Sequence, residues 1–264
     1  MNLNFAKKVF GDRWRSTTVY CVAMSLYVLM LAALYPTVSK MSQLKTQAMP
    51  KNMLKFFGLQ SFDLSTFTNY VVLQLLSFVW IVVMVAFVVA WSRAALAGEM
   101  DEGTMEFLLS QPIGRAPVLV TQSLMMLAGM MVLVVVTMLS VIVFGAIFFA
   151  HKMTYAGFAV FIPIGIAMFA AVAGYSMFFS AWLSDRKAIM ASAGLTLAFY
   201  LLHFGGTYSK PISKIDIIGI FHYYNPVVVV TKAHFPVWDF LILLLFAAVF
   251  FVAAYLVFRR KDVT

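Results

Sequence analysis

The residues best able to carry chemistry in this 264-residue chain form one acidic cluster between apolar segments. Four of the ten acidic residues fall within eight positions, at Glu99, Asp101, Glu102 and Glu106. On a helix the three glutamates are three or four positions apart and share one face. Another face carries Met105, Leu108 and Leu109. A short helix with one acidic and one apolar edge is suited to a groove on a partner protein.

Three further residues shape this segment. Gly103 allows a bend between two short helical pieces, Thr104 is suited to cap the second piece, and Pro112 ends it. A solvated or membrane-surface helix is the alternative, but glutamates are disfavoured beside the usually negative inner leaflet. The pattern therefore favours docking on another protein.

Other kinds of chemistry are not indicated. The sequence contains no Gly-x-x-x-x-Gly-Lys-Ser/Thr phosphate loop, so we do not expect this chain to hydrolyse ATP. No charged residue lies in the middle of an apolar segment, which argues against a proton pump, an ion-coupled carrier or an intramembrane enzyme. Cys21 is the only cysteine, so a cysteine-based metal cluster is excluded. Four histidines are expected on the outer side without a ligand: His151, His203, His222 and His234.

The composition predicts the kind of domain in which the acidic cluster is held. Hydrophobic residues make up 63% of the chain and charged residues 11%, against roughly 25% charged in soluble proteins. This predicts an integral membrane protein with one transmembrane domain over residues 1–264. The net charge of +9 comes from basic residues at the ends of apolar runs, where topology explains them better than nucleic acid does.

The predicted fold is all-α, with six transmembrane helices. Six segments are long enough to cross a hydrocarbon core, which takes roughly 17 to 25 helical residues. They are 17–35, 70–91, 118–150, 158–183, 188–204 and 238–258.

The distribution of arginine predicts the orientation of these spans. All seven arginines fall in the termini, the second-to-third loop or the fourth-to-fifth loop, at Arg13, Arg15, Arg93, Arg115, Arg186, Arg259 and Arg260. By the positive-inside rule these places are cytoplasmic, although lysine is spread more evenly. We therefore expect a multi-pass protein of the cell membrane with both termini in the cytoplasm.

Two segments outside the spans have alternative interpretations. Residues 1–16 mix apolar and basic residues, which suits either an interfacial helix under the membrane or an ordinary basic anchor. Residues 205–237 are too apolar for a free outer loop and are interrupted by polar residues. They are expected to form a re-entrant helical pair in the outer leaflet or an amphipathic helix on its surface.

The acidic segment also resembles a known signature. Glu99, Glu102-Gly103-Thr104, Glu106, Leu108-Leu109-Ser110, Pro112 and Arg115 closely resemble the motif of type-2 ABC exporter permeases. One departure is at Gln122, near which family members often have a lysine. The resemblance covers the chain in outline, with its basic N-terminus, its six spans and its Asn225-Pro226 region before the last span.

The resemblance implies an exporter subunit that is not itself an enzyme. Residues 92–117 would be a cytoplasmic coupling loop whose helix seats in a separate ATPase subunit, and ATP and magnesium would bind there, leaving no cofactor in this chain. The docking residues would be Glu99, Glu102, Gly103, Thr104, Glu106, Leu108, Leu109, Pro112 and Arg115. A second copy or a related permease would complete the path, within membrane lipid.

The cargo expected for an apolar, uncharged path is an amphipathic peptide, a lipid or a hydrophobic drug. A function of another class stays open: a membrane channel or scaffold whose acidic loop recruits a partner that is not an ATPase.

Overall fold

Six long helices dominate the computed structural model, which describes residues 3–45, 66–101, 114–149, 153–206 and 210–260. No strand occurs within these ranges. The long helices are α1 (Leu3–Lys45), α2 (Phe67–Asp101), α3 (Arg115–Phe149), α4 (Tyr155–Trp182), α5 (Asp185–Gly206) and α8 (Val237–Arg260). Each contains a window long and apolar enough to cross a membrane, so the predicted all-α, six-span fold is confirmed.

The first helix is longer than the predicted span. It runs from Leu3 to Lys45 without interruption and includes Pro36, so residues 3–16 and the first span are one continuous helix rather than two separate ones. The hydroxyl groups of Ser25 in α1 and Ser140 in α3 lie 2.9 Å apart and join these two helices. Whether residues 3–16 lie in the membrane interface stays a prediction.

The centre of the bundle is α4, which contacts α2, α3, α5 and α8. Small residues let its neighbours approach closely. A Cβ atom on Gly174 would lie 2.9 Å from the carbonyl oxygen of Ala247 in α8, and one on Gly165 would lie 2.6 Å from the ring of Trp80 in α2. Glycine at both positions permits close helix packing, as is common in membrane bundles.

The segment before the last span is folded against the bundle in short pieces. They are α6 (Lys210–Ile215), two 3₁₀ turns (Asp216–Ile218 and Ile220–Tyr223) and α7 (Pro226–Lys232). The side chain of Asn225 caps α7 by accepting a hydrogen bond from the amide of Val228 at 3.1 Å. The depth of this segment in a membrane, and hence the choice between a re-entrant pair and a surface helix, stays a prediction.

The helix α4 approaches this outer segment closely at Gly157. A Cβ atom added there would lie 1.9 Å from the carbonyl oxygen of Val230 in α7. Backbone thus packs against backbone, and α4 fixes the position of α7.

Candidate functional site

The structure describes the two ends of the predicted docking loop. Glu99 lies half-buried in the last turn of α2, and Arg115 is the first residue of α3, although its side chain is not described. The other predicted docking residues lie outside the described residues: Glu102, Gly103, Thr104, Glu106, Leu108, Leu109 and Pro112. Their contact with an ATPase therefore stays a prediction.

The first residues of the predicted loop 92–117 are helical, and α2 widens there into a π turn over Arg93–Ala97. The hydroxyl group of Ser180 in α4 bridges both ends of the turn. It accepts a hydrogen bond from the amide of Ala97 at 3.1 Å and donates one to the carbonyl oxygen of Ser92 at 2.6 Å. All three residues are buried, so α4 satisfies polar groups that the widened turn exposes within the bundle.

Charged groups join the same part of α2 to the beginning of α5. The guanidinium Nε of Arg93 donates to Oδ1 of Asp185 at 2.6 Å, and the amide of Asp185 donates to Oδ2 of Asp101 at 2.9 Å. Asp185 is the first residue of α5, where an acceptor carboxylate is favoured by the unpaired amides and the helix dipole. The helix α2 therefore ends at a residue that binds α5 directly.

A third helix holds the π turn from the other side. The Nη2 atom of Arg13 in α1 donates to the carbonyl oxygen of Ala94 at 3.1 Å. Three different helices thus contact the last turns of α2. We call this region the inner joint; it consists of the π turn with Arg13, Ser92, Asp101, Ser180 and Asp185.

A second widened segment lies near the other end of α2, at Val72–Val79. The phenol of Tyr224, from the segment before α8, donates to the carbonyl oxygen of Leu76 at 2.9 Å, and that of Tyr200 in α5 donates to the carbonyl oxygen of Ser77 at 3.5 Å. Burial raises the pKa of Tyr224 well above its usual range, which keeps this donor protonated. The outer joint is defined as Val72–Val79 with Tyr200 and Tyr224.

Between the two joints, α2 and α5 enclose an apolar groove of about 500 Å³. The straight α-helical part of α2, Trp80–Ser92, supplies one wall. Arg93, at the inner end, is the one charged residue that lines the groove among the described residues. The full lining is Phe78, Ile81, Val82, Val85, Ala86, Val89, Ala90, Arg93, Ile189, Ala193, Thr196, Leu197 and Tyr200.

Two of the histidines have partners that the sequence did not predict. The Nδ1 atoms of His203 and His222 each lie 3.0 Å from Oδ2 of Asp216, which is buried. This cluster joins the end of α5 to the outer segment. Within the described ranges, no group of three or more His, Cys, Asp or Glu side chains is arranged to hold a metal ion.

The model of a family described as ABC-2 family transporter protein matches residues 3–263. The chain belongs to the ABC-2 transporter family. No curated protein matches it.

Membership of the ABC-2 family identifies the chain as a membrane permease subunit of an ABC transporter. Such permeases are transport subunits that are generally not catalytic and generally pair with an ATPase subunit. The predicted membership of the type-2 ABC permeases is therefore confirmed, and so is the prediction of a multi-pass membrane protein.

Proposed function

We propose that this ABC-2 permease exports an amphipathic or hydrophobic compound through a path that begins at the groove between α2 and α5. Force comes from a separate cytoplasmic ATPase that seats on the loop following Asp101. One observation carries the proposal: the groove wall Trp80–Ser92 continues through the inner joint into this loop.

The chemistry of the groove supports the class of cargo. All but one of its lining residues are uncharged, and most are aliphatic or aromatic. Its volume of about 500 Å³ falls within the range typical of sites for small organic molecules. A compound with a long apolar part and one polar end matches an apolar channel with Arg93 at the inner end.

The shape of α5 supports a second permease subunit. Large apolar side chains project from this helix and are more than half exposed, among them Met190, Leu197 and Leu201. Leu197 also lines the groove, so the open side of the groove and the exposed face of α5 are continuous. A second copy of this chain, or a related permease, would cover that face and close the path.

The charge of the loop supports docking. Glu99 and Asp101 end α2, and Glu102 and Glu106 follow in the sequence. The arginines at the same end, Arg13, Arg93 and Arg186, support a cytoplasmic location for this side by the positive-inside rule. Both termini are then cytoplasmic, and ATP and magnesium bind only in the partner subunit.

Co-purification tests docking. The double variant Glu102→Lys/Glu106→Lys is expected to lose the ATPase in detergent, because it reverses two charges on the docking helix. The matched control Asp12→Lys/Asp262→Lys reverses two charges at the same membrane side outside the loop and is expected to keep the ATPase. If the loop variant retains both the ATPase and ATP-dependent transport, the docking proposal is wrong.

A susceptibility assay tests cargo and direction. Cells that contain the permease and its ATPase are expected to tolerate amphipathic peptides or hydrophobic drugs better than cells whose ATPase lacks its phosphate-loop lysine. Val85→Glu, which places a carboxylate in the groove wall, is expected to remove this tolerance. Greater sensitivity in cells with the active transporter would indicate import instead.

A further inference from the structure

Ser180 differs from Thr137 and Ser192, two other buried hydroxyl residues of the bundle, in where its hydrogen bonds go. Thr137 and Ser192 each donate to the carbonyl oxygen four residues earlier in their own helix, at 2.7 and 2.8 Å. Ser180 instead donates to Ser92 and accepts from Ala97, both in α2. Its hydroxyl therefore acts on the shape of another helix.

The bridge explains why α2 is widened at this place. A π turn contains one residue more than an α turn, and an inserted hydroxyl group satisfies the separated carbonyl and amide. Ser92 and Ala97 are five positions apart, and both of their backbone groups bond to the same oxygen. Without Ser180 the carbonyl of Ser92 and the amide of Ala97 lose their shared partner, so we expect the turn to open more often and to shift between π and ordinary α-helical winding.

The width of this turn determines where the docking loop begins. Closing the π turn to α-helical winding adds about one residue's worth of rotation, which turns every later residue by about 100° around the helix axis. Asp101 follows the turn, and its carboxylate accepts from the amide of Asp185 at the beginning of α5. Such a rotation would carry Asp101 away from α5 and change the direction in which the loop leaves α2.

We propose that Ser180 is a positioning residue for energy coupling in this permease. By holding the π turn open, it fixes the register between the docking loop and α5, so that movement of the loop reaches both walls of the groove. This inference rests on the proposed function, because it assumes that the loop receives force from an ATPase. The bridge itself is a property of this chain alone.

Hydrogen–deuterium exchange on the purified permease tests the bridge without any partner. Ser180→Ala is expected to speed exchange of amides 93–101 and of the Asp185 amide on the order of ten-fold, since one buried hydrogen-bond network is lost. Ser192→Ala, which removes an equally buried hydroxyl bonded within its own helix, is expected to leave these amides unchanged. Unchanged exchange in Ser180→Ala, or an equal increase in Ser192→Ala, overturns the proposal.

A second substitution keeps this test decisive if Ser180→Ala does not fold. Ser180→Cys has nearly the same shape but a weak donor and acceptor. We expect exchange of amides 93–101 to fall between the wild-type and fully released rates. A wild-type rate in Ser180→Cys overturns the proposed bridge.

Coupling is tested in the complex with the ATPase. Spin labels at Val82→Cys and Leu197→Cys, in a Cys21→Ser background, report the distance across the groove between α2 and α5. In otherwise wild-type protein this distance is expected to change when ATP and vanadate trap the ATPase. Ser180→Ala is expected to retain ATPase binding and hydrolysis while losing at least about half of the distance change.

The outcomes separate the two proposals. A full distance change in Ser180→Ala, or loss of ATPase binding by that variant, overturns the positioning role. If wild-type permease binds no ATPase, the proposed function fails, whereas the exchange experiment still decides whether Ser180 holds the turn.

Discussion

The two joints of α2 are both π-helical, but their neighbours hold them with different chemistry. The outer joint is bound by neutral phenols, and Tyr224 donates from a buried position. The inner joint is bound partly by charges that solvent reaches, since the side chains of Arg93 and Asp185 are 43% and 21% exposed. Buried neutral hydrogen bonds are insensitive to salt, whereas exposed ion pairs are screened. The comparison indicates that the outer joint is a fixed anchor and the inner joint can be rearranged.

The largest effect on stability is expected at Gly157, where the backbones of α4 and α7 pack together beside the outer joint. Gly157→Ala would place a Cβ atom 1.9 Å from the carbonyl oxygen of Val230, and neither backbone can move cheaply. We expect the free energy of unfolding to fall by about 3 kcal/mol. Reversible unfolding in mixed micelles measures this change.

Gly194→Ala is the matched control, because nothing lies within 4 Å of the added Cβ atom. It replaces glycine in the middle of α5 and is expected to be neutral or to stabilise by up to about 1 kcal/mol. If both variants are as stable as wild type, the outer segment is not rigidly anchored.

Tyr224→Phe has the next largest expected effect. It removes the hydroxyl that donates to Leu76 and leaves a buried carbonyl oxygen without that donor, which costs about 1 to 3 kcal/mol of unfolding free energy. Tyr223→Phe is the control, since its hydroxyl donates at 2.9 Å to Ile217 in an exposed position. Equal losses in the two variants would contradict the special role of the buried bond.

Alkaline pH tests the same group without mutation. Burial raises the pKa of Tyr224 in the folded protein, so the unfolded chain loses this proton first as pH rises. The contribution of Tyr224 to stability is complete below about pH 10 and declines above it. The decline in unfolding free energy should be smaller in Tyr224→Phe, and identical curves would refute the assignment.

The smallest effect on stability is expected at the inner joint. Asp185→Asn removes the ionic contact with Arg93, yet partly exposed ion pairs contribute only about 0.2 to 1 kcal/mol, and less at high salt. Unfolding is measured at about 20 mM and about 500 mM salt. The loss of unfolding free energy should appear mainly at the lower concentration, where the ion pair is less screened. A loss as large as that of Tyr224→Phe at both salts would remove the contrast between the joints.

The helical architecture could be predicted from sequence because membrane spans depend on length and hydropathy. The predicted span at 158–183 and the observed helix Tyr155–Trp182 differ by three residues or fewer at each end. The first span was shorter in prediction than in the structure, since basic residues before position 17 continue the helix instead of ending it. Local polarity therefore marks where a chain leaves the hydrocarbon, not where a helix stops.

The joints could not be predicted because their cause is tertiary. The sequence of residues 72–79 is typical of an ordinary apolar helix. The carbonyl groups of this segment that do not bond within α2 alone accept from tyrosines more than 100 positions away in the chain. In the sequence, Ser180 is one of several serine and threonine residues within the apolar spans, and nothing beside it sets it apart. Its bridge to α2 has no local sequence signal.

The placement of the groove wall between two joints has an evolutionary consequence. Groove residues such as Ile81, Val85 and Val89 contribute no side chain to the hydrogen bonds that hold either joint. In the proposed function, substitutions there would alter which compound is accepted while the subunit that supplies energy is retained. A lineage carrying this permease could therefore acquire new cargoes one substitution at a time, without its ATPase having to change in step.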